Sequence, residues 1–330
     1  LSGTDYEKEG QRRHALGLSF FRAAKEVLGV TPAWGSLTGV RPSKVAVSLL
    51  REGKAPAAVL TELEEVYSVT PQRARLALEA AETGLRVQND LKPNDISLYV
   101  GIPFCPTRCS YCSFVSRTVG DKATRALVQP YVDKLCRELT AIRETADRCG
   151  LRIRTFYIGG GTPTALSAAQ LEQLMSHIAR TFDLAALDEY TVEAGRPDCT
   201  DAEKLRIIKQ YGATRISINP QTFSDEVLRN IGRRHTAQDI IDCFAAARAA
   251  GHKNINMDLI AGLPDDTPEG FHDTLEQILA LDPDSITVHA LTLKRAANLF
   301  AEGEQQVHNP VEQMVQESMR RLPEHGYAPY

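Results

Sequence analysis

The sequence predicts an α/β chain in which a small helical domain precedes six strand-helix repeats forming a parallel sheet, as in a βα barrel. Two observations carry this fold class. From about Glu7 to Arg86 apolar residues recur at helical spacing with hardly any strand-like alternation, whereas from Ile96 onward short apolar runs alternate with longer amphipathic stretches. Glycines and charges also recur at the ends of those runs, where parallel barrels carry the loops that do chemistry.

In the helical part, Ala57, Ala58, Val59, Leu60, Leu63 and Val66 trace an apolar face. The segment Trp34 to Ser43 is rich in turn residues, and Pro42 suits an early helical position. Residues 1–90 are read as this domain and 91–330 as the barrel core, with Val87 to Asp95 as the linker because it holds Asn89, Asp90, Pro93 and Asn94. Strands are expected near Leu98 to Val100, Thr155 to Ile158, Glu189 to Glu193, Arg215 to Ile218, Asn254 to Ile260 and Ser285 to His289. Helices are expected around Tyr131 to Cys149, Ala168 to Arg180, Asp201 to Tyr211, Ala237 to Ala250 and Pro268 to Leu281.

Composition narrows the function classes. A net charge of -4 argues against a chain whose main partner is nucleic acid. No apolar run approaches the roughly 20 residues of a membrane span. Seven cysteines, an odd number, and no opening signal segment argue against a disulfide framework and for the cytoplasm. The chain opens at Leu1 without methionine and stops at Tyr330, directly after an amphipathic stretch, and is expected to be a fragment.

Directly after the first strand comes Cys105-Pro106-Thr107-Arg108-Cys109-Ser110-Tyr111-Cys112, a CxxxCxxC spacing. Three thiolates from one loop can bind three irons of a cubane cluster and leave the fourth iron open, whereas electron-transfer clusters usually carry four cysteines. Structural zinc is the alternative, but it wants four ligands and the chain has no second CxxC or nearby HxxxH. Cys136, Cys149, Cys199 and Cys243 are scattered and read as buried small apolar residues. The CxxxCxxC loop after a strand, inside a βα repeat, resembles that of the radical S-adenosylmethionine (SAM) superfamily. The resemblance implies a 4Fe-4S cluster on Cys105, Cys109 and Cys112, SAM chelated to the open iron, and reductive cleavage to a 5'-deoxyadenosyl radical.

Further polar signals follow in order. After the second strand, Gly159-Gly160-Gly161-Thr162-Pro163-Thr164 lets backbone approach a ligand, and it lacks the Gly-Lys-Ser/Thr ending of a nucleotide loop. Glu193 ends the third strand, where a carboxylate can accept hydrogen bonds from a cationic or hydroxyl-bearing ligand, although a solvated strand end reads equally well. Gln221 follows the fourth strand, Arg233 lies in Ile231-Gly232-Arg233-Arg234-His235, and Asp258 sits in the fifth strand. Arg234 and His235 read as ordinary exposed residues before a helix.

In this order the motifs resemble those of the oxygen-independent coproporphyrinogen III dehydrogenase-like family, and the LTGVRPSK and EAGRPD stretches those of its HemZ-type branch. That resemblance implies a radical SAM partial (β/α)6 barrel, with SAM contacts from Tyr99, Gly160, Gly161, Thr162, Glu193, Gln221, Arg233 and Asp258. It implies a tetrapyrrole substrate, a reductant such as flavodoxin or ferredoxin, and a substrate-covering domain beyond Tyr330. Phe114 stands where a family pattern CxxxCxxCxC has its last cysteine, and EAGRPD differs from the chaperone-like EANPG. Three readings stay open: oxidative decarboxylation of coproporphyrinogen III to protoporphyrinogen IX in haem biosynthesis, haem binding and delivery, and radical methylation or ring opening of another tetrapyrrole.

Overall fold

A computed structural model of the protein describes residues 3–37, 41–114, 116–292, 297–301 and 310–329. Contacts divide the chain into two compact units, Leu1–Pro93 and Asn94–Pro329.

The first unit holds α1 (Gly3–Leu28), α2 (Ser43–Arg51), α3 (Pro56–Glu65) and α4 (Pro71–Asn89). Helices α3 and α4 each open on proline after an extended residue, which uses a position whose amide would lack a helical partner. Leu49, Val59, Leu63, Ala74 and Leu78 form the centre of its core, with Trp34 packed against them. The Arg73 guanidinium lies 5.5 Å from the centre of the Trp34 ring. Thr38, Gly39 and Val40 of the turn-rich segment lie outside the described residues.

The second unit is built on six strands: β1 (Asp95–Ile102), β2 (Arg152–Gly160), β3 (Glu189–Glu193), β4 (Arg215–Gln221), β5 (Ile255–Ala261) and β6 (Ser285–Ala290). They pair in sequence order, and every pairing is parallel. Each strand therefore lies beside its successor in the chain, the order of an open βα barrel. Between them run α5 (Lys122–Arg148), α6 (Ala168–Thr181), α7 (Ala202–Gln210), α8 (Asp225–Asn230), α9 (Ala237–Ala249) and α10 (Pro268–Leu281), with α11 (Asn298–Ala301) and α12 (Val311–Glu324) after β6. Capping boxes start α6 at Ser167/Gln170 and α9 at Thr236/Asp239, and Asp121 caps α5.

The predicted strands and their helices are all present. Three details differ. Helix α5 starts at Lys122 rather than Tyr131, capped by Asp121, and carries Pro130 inside it. Helix α4 continues through Asn89 and β1 begins at Asp95, so the linker shrinks to residues 90–94. Helix α8, six residues capped by Ser224, is too short to show periodicity.

One core joins the sheet to its helices. Phe156, Ile158, Tyr190, Val192, Ile216 and Ile218 alternate along β2, β3 and β4 and meet Leu171, Leu174, Met175 and Ile178 of α6 and Leu205 and Ile208 of α7. Phe156 is at its centre, 1% exposed and edge-on to both Phe182 and Tyr190. Phe156→Ala is expected to destabilise this unit by about 3–5 kcal/mol, read as a shift in its denaturant midpoint. A loss below about 1 kcal/mol, the size of an ordinary surface change, contradicts that packing.

Candidate cofactor site

Because successive strand side chains alternate between faces, burying Val100, Ile158, Val192, Ile218 and Met257 under helices turns their neighbours to the opposite face. Those neighbours are Tyr99, Tyr157, Glu193, Ser217, Asn256 and Asp258. Register aligns them across strands: Tyr99 with Tyr157, Glu193 with Ser217, Ser217 with Asn256. The result is a polar sheet face of unlike groups. The Tyr99 and Tyr157 rings stack at 5.5 Å, and the Tyr157 hydroxyl donates to Glu193 Oε1 at 2.6 Å. Asn256 Nδ2 donates to Asp258 Oδ1 at 2.6 Å, while its carbonyl oxygen accepts from Ser285 at 2.9 Å and Thr287 at 3.0 Å.

At the C-terminal end of β1 the chain turns into the cysteine loop. Two backbone bonds tie this loop to the glycine turn: Gly161 N–H to the Ile102 carbonyl at 2.8 Å, and Thr162 N–H to that of Phe104 at 2.7 Å. Gly160 has φ +110°, which side-chain-bearing residues rarely adopt, and a Cβ on Gly161 would lie 2.6 Å from the Phe104 carbonyl oxygen and 2.9 Å from Cys105 Sγ. The Thr162 hydroxyl donates to Cys105 Sγ at 3.5 Å. The loop's far side is held by the segment after α8, where Ser110 N–H donates to the Ile231 carbonyl and Thr107 Oγ1 to that of Gly232.

Cys109 is buried between two guanidinium groups. Arg196, 4% exposed, donates from Nη1 to Cys109 Sγ at 3.5 Å, and Arg233, 6% exposed, lies against the same thiol. Asp198 neutralises Arg196 through a fork of 2.9 and 2.8 Å. Burial raises the Asp198 carboxyl, but His235 and Arg196 outweigh it and hold the group well below the usual carboxylate range. Arg233 donates to the Asn219 carbonyl and, at 3.1 Å, to the Tyr111 hydroxyl, and among the described residues its Nε has no partner. Gln221 Oε1, Asn219 Oδ1 and Ser110 Oγ are likewise buried without partners among the described residues.

Of the residues singled out in the sequence, Cys105, Gly161 and Thr162 meet directly, Cys109 meets Arg233, and Glu193 packs against Gly159, where an added Cβ would lie 2.9 Å from its carboxyl oxygen. Gln221, 6% exposed and at φ +70°, makes no bond through Oε1. Tyr99 is 62% exposed and joins the group through the Tyr157 ring. Among the described residues, no three His, Cys, Asp or Glu side chains converge as ligands of one ion would. His235 is not an exposed pre-helix residue: its side chain is fully buried with Nδ1 3.6 Å from Asp198. Cys149 is exposed rather than buried, and Cys199 is intermediate. Tyr157 and Arg196 were not legible as site residues, since the first sits in an apolar strand and the second meets Thr107 and Cys109 across 89 and 87 positions.

A family model described as the Radical SAM superfamily matches residues 99–278. The chain is 35% identical to the Bacillus subtilis (strain 168) protein named oxygen-independent coproporphyrinogen-III oxidase-like protein HemZ, over 99% of this chain and 66% of that one. It is 35% identical to the heme chaperone HemW of the same organism, over 71% of this chain and 62% of the other. Its fold resembles that of the coproporphyrinogen III oxidase HemN from Escherichia coli, with a TM-score of 0.63 and 27% identity, covering 75% of this chain and 56% of that one. The chain thus spans less than two thirds of the length of these relatives. No described helix is long and apolar enough to cross a membrane.

Burial pushes the Glu193 carboxyl up to about 7 from an ordinary 4.5; Asp258 adds to the rise, while Tyr157 and the Gly160 amide oppose it. With the folded value above the unfolded one, this group's contribution to stability is complete below about 4.5 and is lost as pH rises through about 7. Glu193→Gln, which cannot ionise, is expected to gain on the parent across that window by an amount of the order of 3 kcal/mol. Denaturant midpoints of the two cluster-free proteins, followed from about pH 4.5 to above about 7, measure it. A constant gap contradicts the buried carboxyl.

Proposed function

The chain belongs to the radical SAM superfamily and stands among its coproporphyrinogen-III-oxidase-like members, and from that premise we propose that Cys105, Cys109 and Cys112 hold a 4Fe-4S cluster beside bound SAM. The observation that carries this is the charge around the cysteine loop. Two buried guanidinium groups flank Cys109, and Asp198 neutralises only one of them through its fork. An unneutralised buried charge is costly, and a thiolate-ligated, anionic group is its natural complement. The cradle fits on steric grounds as well, because Gly161 leaves room beside Cys105 that a single Cβ would remove.

When bound, the cluster and SAM supply reductive cleavage of a carbon-sulfur bond and a 5'-deoxyadenosyl radical able to abstract a substrate hydrogen atom. The protein's own groups then bind, orient and exclude water. Gly160 and Gly161 bring backbone close to the ligand, and Thr162 fixes the turn against Cys105. Glu193, steadied by Tyr157, takes a cationic amino group and is drawn to its ionised form by it. Asp258, with one oxygen held by Asn256, offers the other to a ligand hydroxyl. Gln221 Oε1, Asn219 Oδ1 and Arg233 Nε are buried groups that a polar ligand can satisfy. Tyr99 supplies an exposed aromatic face.

The reaction proposed is oxidative decarboxylation of coproporphyrinogen III, in which each of two propionates would lose a hydrogen atom to the 5'-deoxyadenosyl radical, an electron to an external one-electron acceptor, and carbon dioxide, to become a vinyl group. A reductant of the flavodoxin or ferredoxin kind starts each turnover. The second reading is haem binding and delivery, favoured by Phe114 in place of a fourth loop cysteine and by the likeness to HemW. Anaerobic incubation of the reconstituted protein with SAM, dithionite and coproporphyrinogen III, followed by mass analysis of nucleoside and porphyrin, beside a spectroscopic titration of the same protein with haem, separates them. The first reading expects 5'-deoxyadenosine together with a doubly decarboxylated product. Intact porphyrinogen together with stoichiometric haem binding favours the second. Neither SAM cleavage nor haem binding would overturn both.

A further inference from the structure

The EAGRPD stretch differs from the family's chaperone-like pattern, and its arginine has no part in the SAM contacts proposed above. After Glu193 the chain passes Ala194 and Gly195, and Pro197 opens a tight 3-10 turn, Pro197–Cys199. This turn sets Asp198 two residues beyond Arg196, so that Nε and Nη2 both donate to its carboxylate. Nη2 also donates to Thr107 Oγ1 at 2.9 Å, and that hydroxyl passes its own proton to the Gly232 carbonyl at 2.8 Å. Only Nη1 is left, and it donates to Cys109 Sγ. All three guanidinium nitrogens thus have a fixed partner in a buried site, a geometry that the single ammonium of lysine cannot reproduce.

A buried Arg–Asp pair that served the fold alone would gain little over apolar packing. The third nitrogen gives this pair another use. We propose that Arg196, clamped by Asp198 and Thr107, is a positioning residue that hydrogen-bonds the Cys109 sulfur and raises the reduction potential of the cluster. The inference rests on the reading of Cys109 as a cluster ligand. Reduction adds one negative charge to the cluster, and a hydrogen-bond donor carrying positive charge at a ligating sulfur stabilises the reduced form more than the oxidised one. Removing the donor therefore moves the potential downward.

The test uses the full chain, anaerobically reconstituted, as parent and as Arg196→Gln, Arg196→Lys and Asp198→Asn. Iron and sulfide per chain and near-UV circular dichroism report loading and folding, and a redox titration followed by electron paramagnetic resonance reports the midpoint potential. Arg196→Gln is expected to lower the potential by about 59 mV, a tenfold change in the ratio of oxidised to reduced cluster for a one-electron couple. Arg196→Lys, which keeps the charge but cannot reach all three partners, is expected to give a smaller shift in the same direction, whereas Asp198→Asn, which removes the negative charge that neutralises the guanidinium, is expected to move the potential upward. If Arg196→Gln does not fold, the other two decide by the same criterion. Loaded variants that all titrate at the parent potential overturn the inference alone, whereas a parent that takes up no cluster overturns the reading of Cys109 on which it stands.

Discussion

In a parallel sheet one residue of slip carries every side chain to the opposite face, so the site of this protein depends on register before it depends on any single contact. The register is fixed by the aliphatic residues that α6, α7 and α9 cover, such as Ile158, Val192, Ile216 and Ile218. Once they are buried, Tyr157, Glu193 and Ser217 have only the opposite face left. Gly101 then lies beside Gly159 and Ile102 beside Gly160, so the first two strands end level. The cysteine loop and the glycine turn start from those ends, and their two backbone hydrogen bonds follow from that alignment. Hydrophobic burial on one face thus determines the chemistry available on the other.

The second determinant is charge in a place with little water. Arg196 and Arg233 arrive from the loop after β3 and the segment after α8, and both end beside Cys109. The Asn219 carbonyl and Tyr111 hydroxyl satisfy donors of Arg233 without neutralising it. The positive environment that results is suited to an electron-rich group bound by the loop. Glu193 and Asp258, on the sheet face, form the opposite end of this electrical arrangement and suit a cationic ligand. One site therefore presents positive charge to the cysteine loop and carboxyl groups to whatever lies across the sheet.

Most of this fold was legible because its signals are local. The six strands and their helices follow from runs of apolar residues, and the CxxxCxxC and GGGTPT stretches announce themselves within a few positions. Glu193, Gln221, Arg233 and Asp258 are singled out by family resemblance and their positions near strand ends. What escaped was set by tertiary contact. Arg196 carries no local mark that distinguishes it from a surface arginine, and only the folded chain brings it to Thr107 and Cys109. His235 was misjudged for the same reason, since the depth of a residue before a helix depends on what packs over it. Tyr157 was hidden by its neighbours: within Phe156-Tyr157-Ile158 it reads as core, although the alternation turns it toward Glu193.

The account rests on three thiols of one loop acting together while the other four cysteines stand apart. Anaerobic reconstitution followed by iron and sulfide analysis tests this most directly, on single serine variants of Cys105, Cys109 and Cys112 beside a variant lacking Cys136, Cys149, Cys199 and Cys243. The account predicts that each of the three serine variants loses the 4Fe-4S cluster and that the fourth protein keeps it. An undiminished cluster in any of the three, or its loss from the protein that retains them all in a folded state, would contradict it.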